Sequence, residues 1–221
     1  MKESVTQPGQ SAAIASAQGR KEHWETVYQS KAPDDVSWFQ PRPETSLRLL
    51  AAAGTGKHEG VIDVGGGASL LVDCLLDAGF VKLAVLDLSG AALSLTRARL
   101  GPRAAGVQWF EADVTEFRPP ERFALWHDRA VFHFLTTPAD RTRYVASLKA
   151  SLAPGGHVII ATFALDGPVK CSGLEVARYD AAGIGSELGA EFRFHEQVDE
   201  THLTPWQTEQ RFSYFRFQRQ A

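Results

Sequence analysis

This chain of 221 residues predicts an α/β fold: a doubly wound, mostly parallel sheet of seven strands with a C-terminal antiparallel hairpin. Three observations predict it. Short β-branched apolar runs alternate with amphipathic stretches between about residues 60 and 188. The first run, Val61-Ile62-Asp63-Val64, breaks on Gly65-Gly66-Gly67 and passes at once into an amphipathic segment. From Glu191 the pattern changes to two long runs around Thr204-Pro205-Trp206.

The elements follow in order. Residues 1–18 are Ser/Ala/Gln-rich without the apolar block of a signal peptide, and read as a disordered tail. Residues 19–221 read as a single domain whose leader, about 19–54, is helical. A helix over 19–30 sets Trp24, Val27 and Tyr28 on one face, and a second runs from near Pro43 to near Gly54. Strands are expected at about 60–64, 82–87, 107–111, 123–128 and 156–163. Helices are expected at about 69–79, 90–100, 139–152 and 180–188, with a short turn near 130–135. The hairpin pairs 191–201 with 208–218.

Composition excludes several classes. Hydrophobic residues make up 44% of the chain and the formal net charge is −3, which suits neither a nucleic-acid backbone nor an anionic membrane as main partner. No apolar run approaches the roughly 18 residues of a membrane span. The two cysteines, Cys74 and Cys171, make no disulfide framework or zinc pattern, and the histidines lack metal-site spacing. A cytoplasmic protein with no metal and no obligate protein partner is the expectation.

The glycine turn carries the chemistry. Glycines between a strand and a helix let the backbone turn sharply and let a ligand lie against bare main chain. Asp87 ends the second strand 22 residues after Gly65, where an acid can hold the two hydroxyls of a ribose. A dinucleotide fingerprint needs a third glycine, and Leu70 stands in its place. Asp63, two residues before Gly65, would repel a pyrophosphate and suit a ligand with an ammonium group. S-adenosylmethionine is such a ligand. Leu70 and Asp63 oppose a nicotinamide-dependent oxidoreductase.

Further motifs extend the pattern: Val107-Gln108-Trp109-Phe110-Glu111-Ala112-Asp113-Val114, Phe123-Ala124-Leu125-Trp126-His127-Asp128-Arg129, and Leu152-Ala153-Pro154-Gly155-Gly156 before a fifth strand. With the final hairpin, these motifs resemble the class I, Rossmann-like S-adenosylmethionine-dependent methyltransferases over roughly residues 20–218. The resemblance implies that Asp113, with Val114 beside it, meets the adenine amino group. It also places Leu88, Asp128 and Arg129 near the cofactor. The leader His23-Trp24-Glu25-Thr26-Val27-Tyr28, with Trp38-Phe39, is similar to that of a subgroup including protein-lysine methyltransferases, which implies a lid with Trp24, Tyr28 and Trp38 against the cofactor. The chain departs from that subgroup after the fourth strand, where it reads Asp128-Arg129-Ala130-Val131-Phe132-His133-Phe134.

Each residue also has a plainer reading. Asp63 could cap the glycine turn, Asp87 could belong to a helix cap, and Asp113 could be a turn acid. Cys171 could be a packed thiol. Trp206 could plug the sheet edge or wall a pocket. A methyl acceptor that is a hydroxyl or ammonium needs a general base, for which His133 and His127 are the candidates; a thiolate needs none. The aromatic set, with Phe39, Phe132, Cys171 and Trp206 toward substrate, predicts a closed apolar pocket and a small-molecule acceptor. A protein-lysine methyltransferase and a non-catalytic S-adenosylmethionine-binding protein are the alternatives.

Overall fold

The computed structural model describes residues 17–221. The expected tail lies outside the described residues except for Ala17 and Gln18, which open helix α1 (Ala17–Ser30) rather than ending a tail. The leader continues through α2 (Glu44–Ala53), which stops at Gly54 in the left-handed conformation.

Seven strands form one sheet in the order β3-β2-β1-β4-β5-β9-β8. At its centre β1 (Val61–Val64) pairs in parallel with β2 (Leu83–Asp87) and β4 (Phe123–Arg129). β3 (Val107–Glu111) and β5 (Leu152–Phe163) extend the parallel part on either side. β9 (Glu209–Arg219) runs antiparallel to β5, and β8 (Phe192–Leu203) closes the edge against it.

Both faces of the sheet are buried, which is why its central strands read as continuous apolar runs. Ile62, Leu86, Trp126 and Ile160 point to one core, under α5 (Pro138–Ser151) and α6 (Ala181–Leu188). Val61, Val85, Leu125 and Ile159 point to the other. That second core is covered by α2, α3 (Leu71–Asp77) and α4 (Gly90–Leu100). The strand order reverses direction between β1 and β4, and the crevice above their C-terminal ends is where an open α/β sheet binds its ligand.

Some boundaries and short elements differ from the sequence reading. β5 begins at Leu152, not near 156, because Leu152 pairs with Phe123 ahead of a register shift, and Pro154 and Gly155 (φ 76°) are taken up in the irregular start. α3 is shorter than expected because the Ser69 hydroxyl accepts the Leu71 N–H at 3.0 Å and makes residue 69 part of the entry turn. A small ladder of β6 (Lys170–Cys171) with β7 (Leu174–Glu175), and a 3-10 turn at Gly101–Gly106, had no sequence signal.

Candidate active site

The glycine turn is locked from several sides. Gly65 sits at φ 67°, and a Cβ there would collide with Val131. A Cβ on Gly67 would meet Ala92 and Asp87 at 2.5 Å, so main chain is all that fits between β1 and α4. The Gly67 N–H donates to Asp87 Oδ2 at 2.9 Å, and the Ser89 N–H donates to Oδ1 at 2.8 Å. Burial pushes the Asp87 carboxyl up to about 6, against the pull of those two N–H groups, with the Asp63 charge adding to the rise.

Two clefts open above the strand ends. The first is lined by Arg20, Trp24 and Tyr28 of α1, by Asp87-Leu88 and Asp113-Val114, and by Phe134, Leu135 and Cys171. The second is lined by Asp63 and the glycine turn, His127, Ser46, Phe39 and Gln40. Tyr28, Trp38, Val64, Gly65 and Arg129 line both, so the clefts meet there.

The leader closes over this junction. Glu25 accepts the N–H groups of Gly90 at 2.7 Å and Ala91 at 3.3 Å, placing a carboxylate at the N-terminus of α4. Arg20 donates to Asp113 at 2.8 Å, and Lys21 pairs with Glu111. Trp24 packs edge-on to Trp38 and Phe134, with centroids 5.6 and 5.1 Å away. Arg129 ties leader to body: Nε donates to Tyr214 at 2.8 Å, Nη1 donates to the Trp38 carbonyl at 3.0 Å, and the guanidinium lies over the Phe212 ring.

Most of the residues singled out in the sequence line these clefts: Trp24, Tyr28, Trp38, Phe39, Asp63, Gly65, Asp87, Leu88, Asp113, Val114, His127, Arg129 and Cys171. Gly67 supports the turn from behind. Asp113 is already engaged, with Arg20 on Oδ2 and Thr115 on Oδ1. Burial would raise its carboxyl, but these donors hold it below the usual range.

Five expectations are corrected. Asp128 is fully buried and lines neither cleft; it accepts the Tyr144 hydroxyl at 2.6 Å and the Val131 N–H at 2.9 Å, so it braces the chain after β4 rather than meeting a cofactor. Phe132 is fully buried against Tyr144 and Tyr179. His133 is also sealed, and neither ring nitrogen has a hydrogen-bond partner among the described residues. Burial, then the Arg129 charge, pushes it down to about 3, which disqualifies it as a base near neutral pH. Trp206, 56% exposed at the tip of the edge hairpin, walls no pocket. His127 does line a cleft, but both its ring nitrogens are committed, to Asp63 at 2.7 Å and Ser46 at 2.9 Å, and it too is not a free base.

Ser46, Arg20 and Glu25 went unseen in the sequence. They reach the site from the leader, and no local spacing announces them. No group of three or more His, Cys, Asp or Glu among the described residues suits a metal. No helix among them is long and apolar enough to cross a membrane.

The comparisons agree with this geometry. A family model described as a methyltransferase domain matches residues 61–156, from β1 into the start of β5. EEF1A lysine methyltransferase 2 of Danio rerio is 29% identical over 159 residues, covering 64% of this chain and 67% of that protein. Nodulation protein S of Rhizobium tropici is 29% identical over 125 residues, covering 57% of this chain and 51% of that protein, so the match spans about half the relative's length. Among solved structures, the N-methyltransferase NodS of Bradyrhizobium japonicum WM9 with S-adenosyl-L-homocysteine superposes with a TM-score of 0.67 at 18% identity, over 88% of this chain and 97% of that one. The Burkholderia thailandensis 1,6-didemethyltoxoflavin-N1-methyltransferase superposes with a TM-score of 0.66 at 18% identity, over 100% of this chain and 94% of that one.

The fold is Rossmann-like, and the two clefts open at the β1/β4 switch point, where such sheets bind nucleoside-bearing ligands. Residues 61–156 match the methyltransferase-domain model, and the fold is that of solved S-adenosylmethionine-dependent methyltransferases. Its residues fit that cofactor: Asp63 Oδ2 is buried without a partner among the described residues, beside a glycine turn that leaves room only for main chain.

Proposed function

We propose that this methyltransferase acts on a small-molecule acceptor held in the aromatic half of the first cleft. The observation that carries the reading is enclosure by the enzyme's own leader. Trp24, Tyr28 and Trp38 come down from the leader to meet Phe134, Leu135 and Cys171. A protein segment would need an open groove at that place. The names of two relatives support the reading, since nodulation protein S and the toxoflavin-precursor enzyme resemble the chain over most of the fold. The second reading, a protein-lysine acceptor, draws on the name of the Danio rerio relative.

On the cofactor side, Asp63 suits the methionine ammonium, Asp87 the ribose hydroxyls, and Leu88, Asp113 and Val114 the adenine. S-adenosylmethionine, when bound, supplies a methyl group already activated on a sulfonium. The chain's residues then have to orient the acceptor and exclude water, and orientation alone corresponds to effective molarities of about 10^5–10^8 M.

Among the described residues, the first cleft's titratable wall groups are already engaged or held protonated: Asp87 accepts the Gly67 and Ser89 N–H groups. Burial raises the Tyr28 phenol above its usual range and pushes the Cys171 thiol up to about 11. Asp113 is paired with Arg20. The acceptor atom in this reading is therefore nucleophilic without the enzyme's help: a thiolate or a neutral nitrogen.

Turnover of labelled S-adenosylmethionine against pooled small thiols, neutral amines, ring nitrogens, phenols and acids, beside a cell lysate, tests the proposal. Label in a small thiol or nitrogen compound supports it. Label only in protein would replace it with the lysine reading.

A further inference from the structure

Asp63 and His127 are register partners across the β1–β4 ladder, with side chains on the same face. His127 Nδ1 lies 2.7 Å from Asp63 Oδ1, and Nε2 lies 2.9 Å from the Ser46 hydroxyl. All three are buried, at 0% exposure for Ser46, 2% for His127 and 4% for Asp63. A carboxylate only accepts, so Nδ1 carries a proton toward Asp63, while Nε2 is hydrogen-bonded to the Ser46 hydroxyl. One Asp63 oxygen is thereby occupied. The other, Oδ2, has no partner among the described residues, and Asp63, His127 and Ser46 all line the second cleft. A buried charged oxygen left bare is costly unless a ligand meets it.

We propose that Ser46 and His127 are positioning residues for the cofactor. They fix the Asp63 carboxylate in the one rotamer that turns Oδ2, and only Oδ2, toward the ligand's cationic amino group. The inference rests on the assignment of Asp63 to that group. The order Ser–His–Asp resembles a nucleophile triad, but the fully buried Ser46 is not presented for attack, and the bare atom belongs to Asp63. The relay does the work of an outer-shell partner at a metal site, which sets the orientation of a ligand it supports. It also accounts for a histidine buried in β4 at the centre of the sheet.

The test is calorimetric and uses the full chain. Two ligands are compared: S-adenosylhomocysteine, and its analogue with the amino group replaced by hydrogen. Wild type should prefer the amino form by at least about tenfold, the scale of a charged hydrogen bond. Asp63→Asn should abolish the preference. His127→Leu should reduce it to within about threefold, Ser46→Ala should reduce it in part, and His127→Asn, whose amide N–H reaches about where Nδ1 did, should restore it. A packing role would weaken both ligands alike and leave the ratio unchanged. If Asp63→Asn loses the preference while His127→Leu and Ser46→Ala keep it, the relay is overturned and the Asp63 assignment stands. If Asp63→Asn itself keeps the preference, the Asp63 assignment fails and the relay with it. Should His127→Leu not fold, the Ser46→Ala ratio decides.

Discussion

If the Asp87 carboxyl, pushed up to about 6 by burial, holds the ribose as proposed, cofactor binding should depend on pH. Its folded value lies above its unfolded one, so the native state holds the proton more tightly. Asp87 therefore favours the fold most below about pH 4 and loses that contribution as pH rises through about 6. A carboxylate that accepts two ribose hydroxyls must be ionised, so ligand affinity should move the opposite way. Affinity for S-adenosylhomocysteine is expected to strengthen from pH 5 to 7 and then level off. Calorimetry across that range checks this, and a flat profile would remove Asp87 from the ribose. Asp128 is raised to a similar value but lines neither cleft, so it titrates alike with and without ligand. His133 gives the complementary prediction. Because it is sealed and held neutral, His133→Leu should leave kcat/KM within about threefold, where loss of a general base costs about 10^2 or more. The placing of Asp63, Gly65 and Asp87 on the clefts was legible because it follows from spacing along the chain. His133 was misread because nearness to the end of β4 in sequence was taken for nearness to the cleft. The short turn Phe132–Phe134 brings Phe134 to the cleft and buries its two neighbours.

At the scale of elements, the leader is the least self-sufficient part of the fold. α1 has only Val27 and Tyr28 buried, so its place depends on what it touches. The exposed Lys21–Glu111 pair contributes little. The stronger anchor is Glu25, which accepts the Gly90 and Ala91 N–H groups from outside the helix, while the N-cap Ser89 accepts that of Ala92. Glu25→Ala should cost about 1 kcal/mol, all of it in leader docking. The expected result is faster amide exchange across Ala17–Ser30, slow exchange retained in β1 and β4, and roughly fivefold weaker binding of S-adenosylhomocysteine. Equal exchange in both proteins would mean that the aromatic contacts and the Arg20–Asp113 pair hold the leader without Glu25. The sequence pattern showed that the leader is helical and which face packs. It did not show what the polar face grips, because Glu25, Gly90 and Ala91 are distant in sequence.

For the whole molecule, the doubly wound sheet was readable almost strand by strand. Two buried faces leave long apolar runs, and the glycine turn fixes where winding starts. What escaped was pairing without a pattern: the irregular start of β5 and the β6–β7 ladder. The polar chain inside the core escaped too. Tyr144 accepts the Trp126 N–H at 2.9 Å and donates to Asp128 at 2.6 Å, all three fully buried. Tyr144→Phe leaves both partners short, so Tm should fall by roughly 3–10 °C. Cofactor affinity should stay constant, since none of the three lines a cleft. A fall in affinity with Tm unchanged would return Asp128 to the cofactor. The closed leader has a further, kinetic consequence. It grips Asp113 and the N-terminus of α4, beside the strand ends proposed for the nucleoside. The expectation is that spent cofactor leaves only when this grip opens, and that its residence time, rather than methyl transfer, sets the pace of turnover. Because part of the grip is ionic, added salt should shorten it, and stopped-flow release of S-adenosylhomocysteine that quickens with ionic strength would show the enzyme throttled by its own first helix.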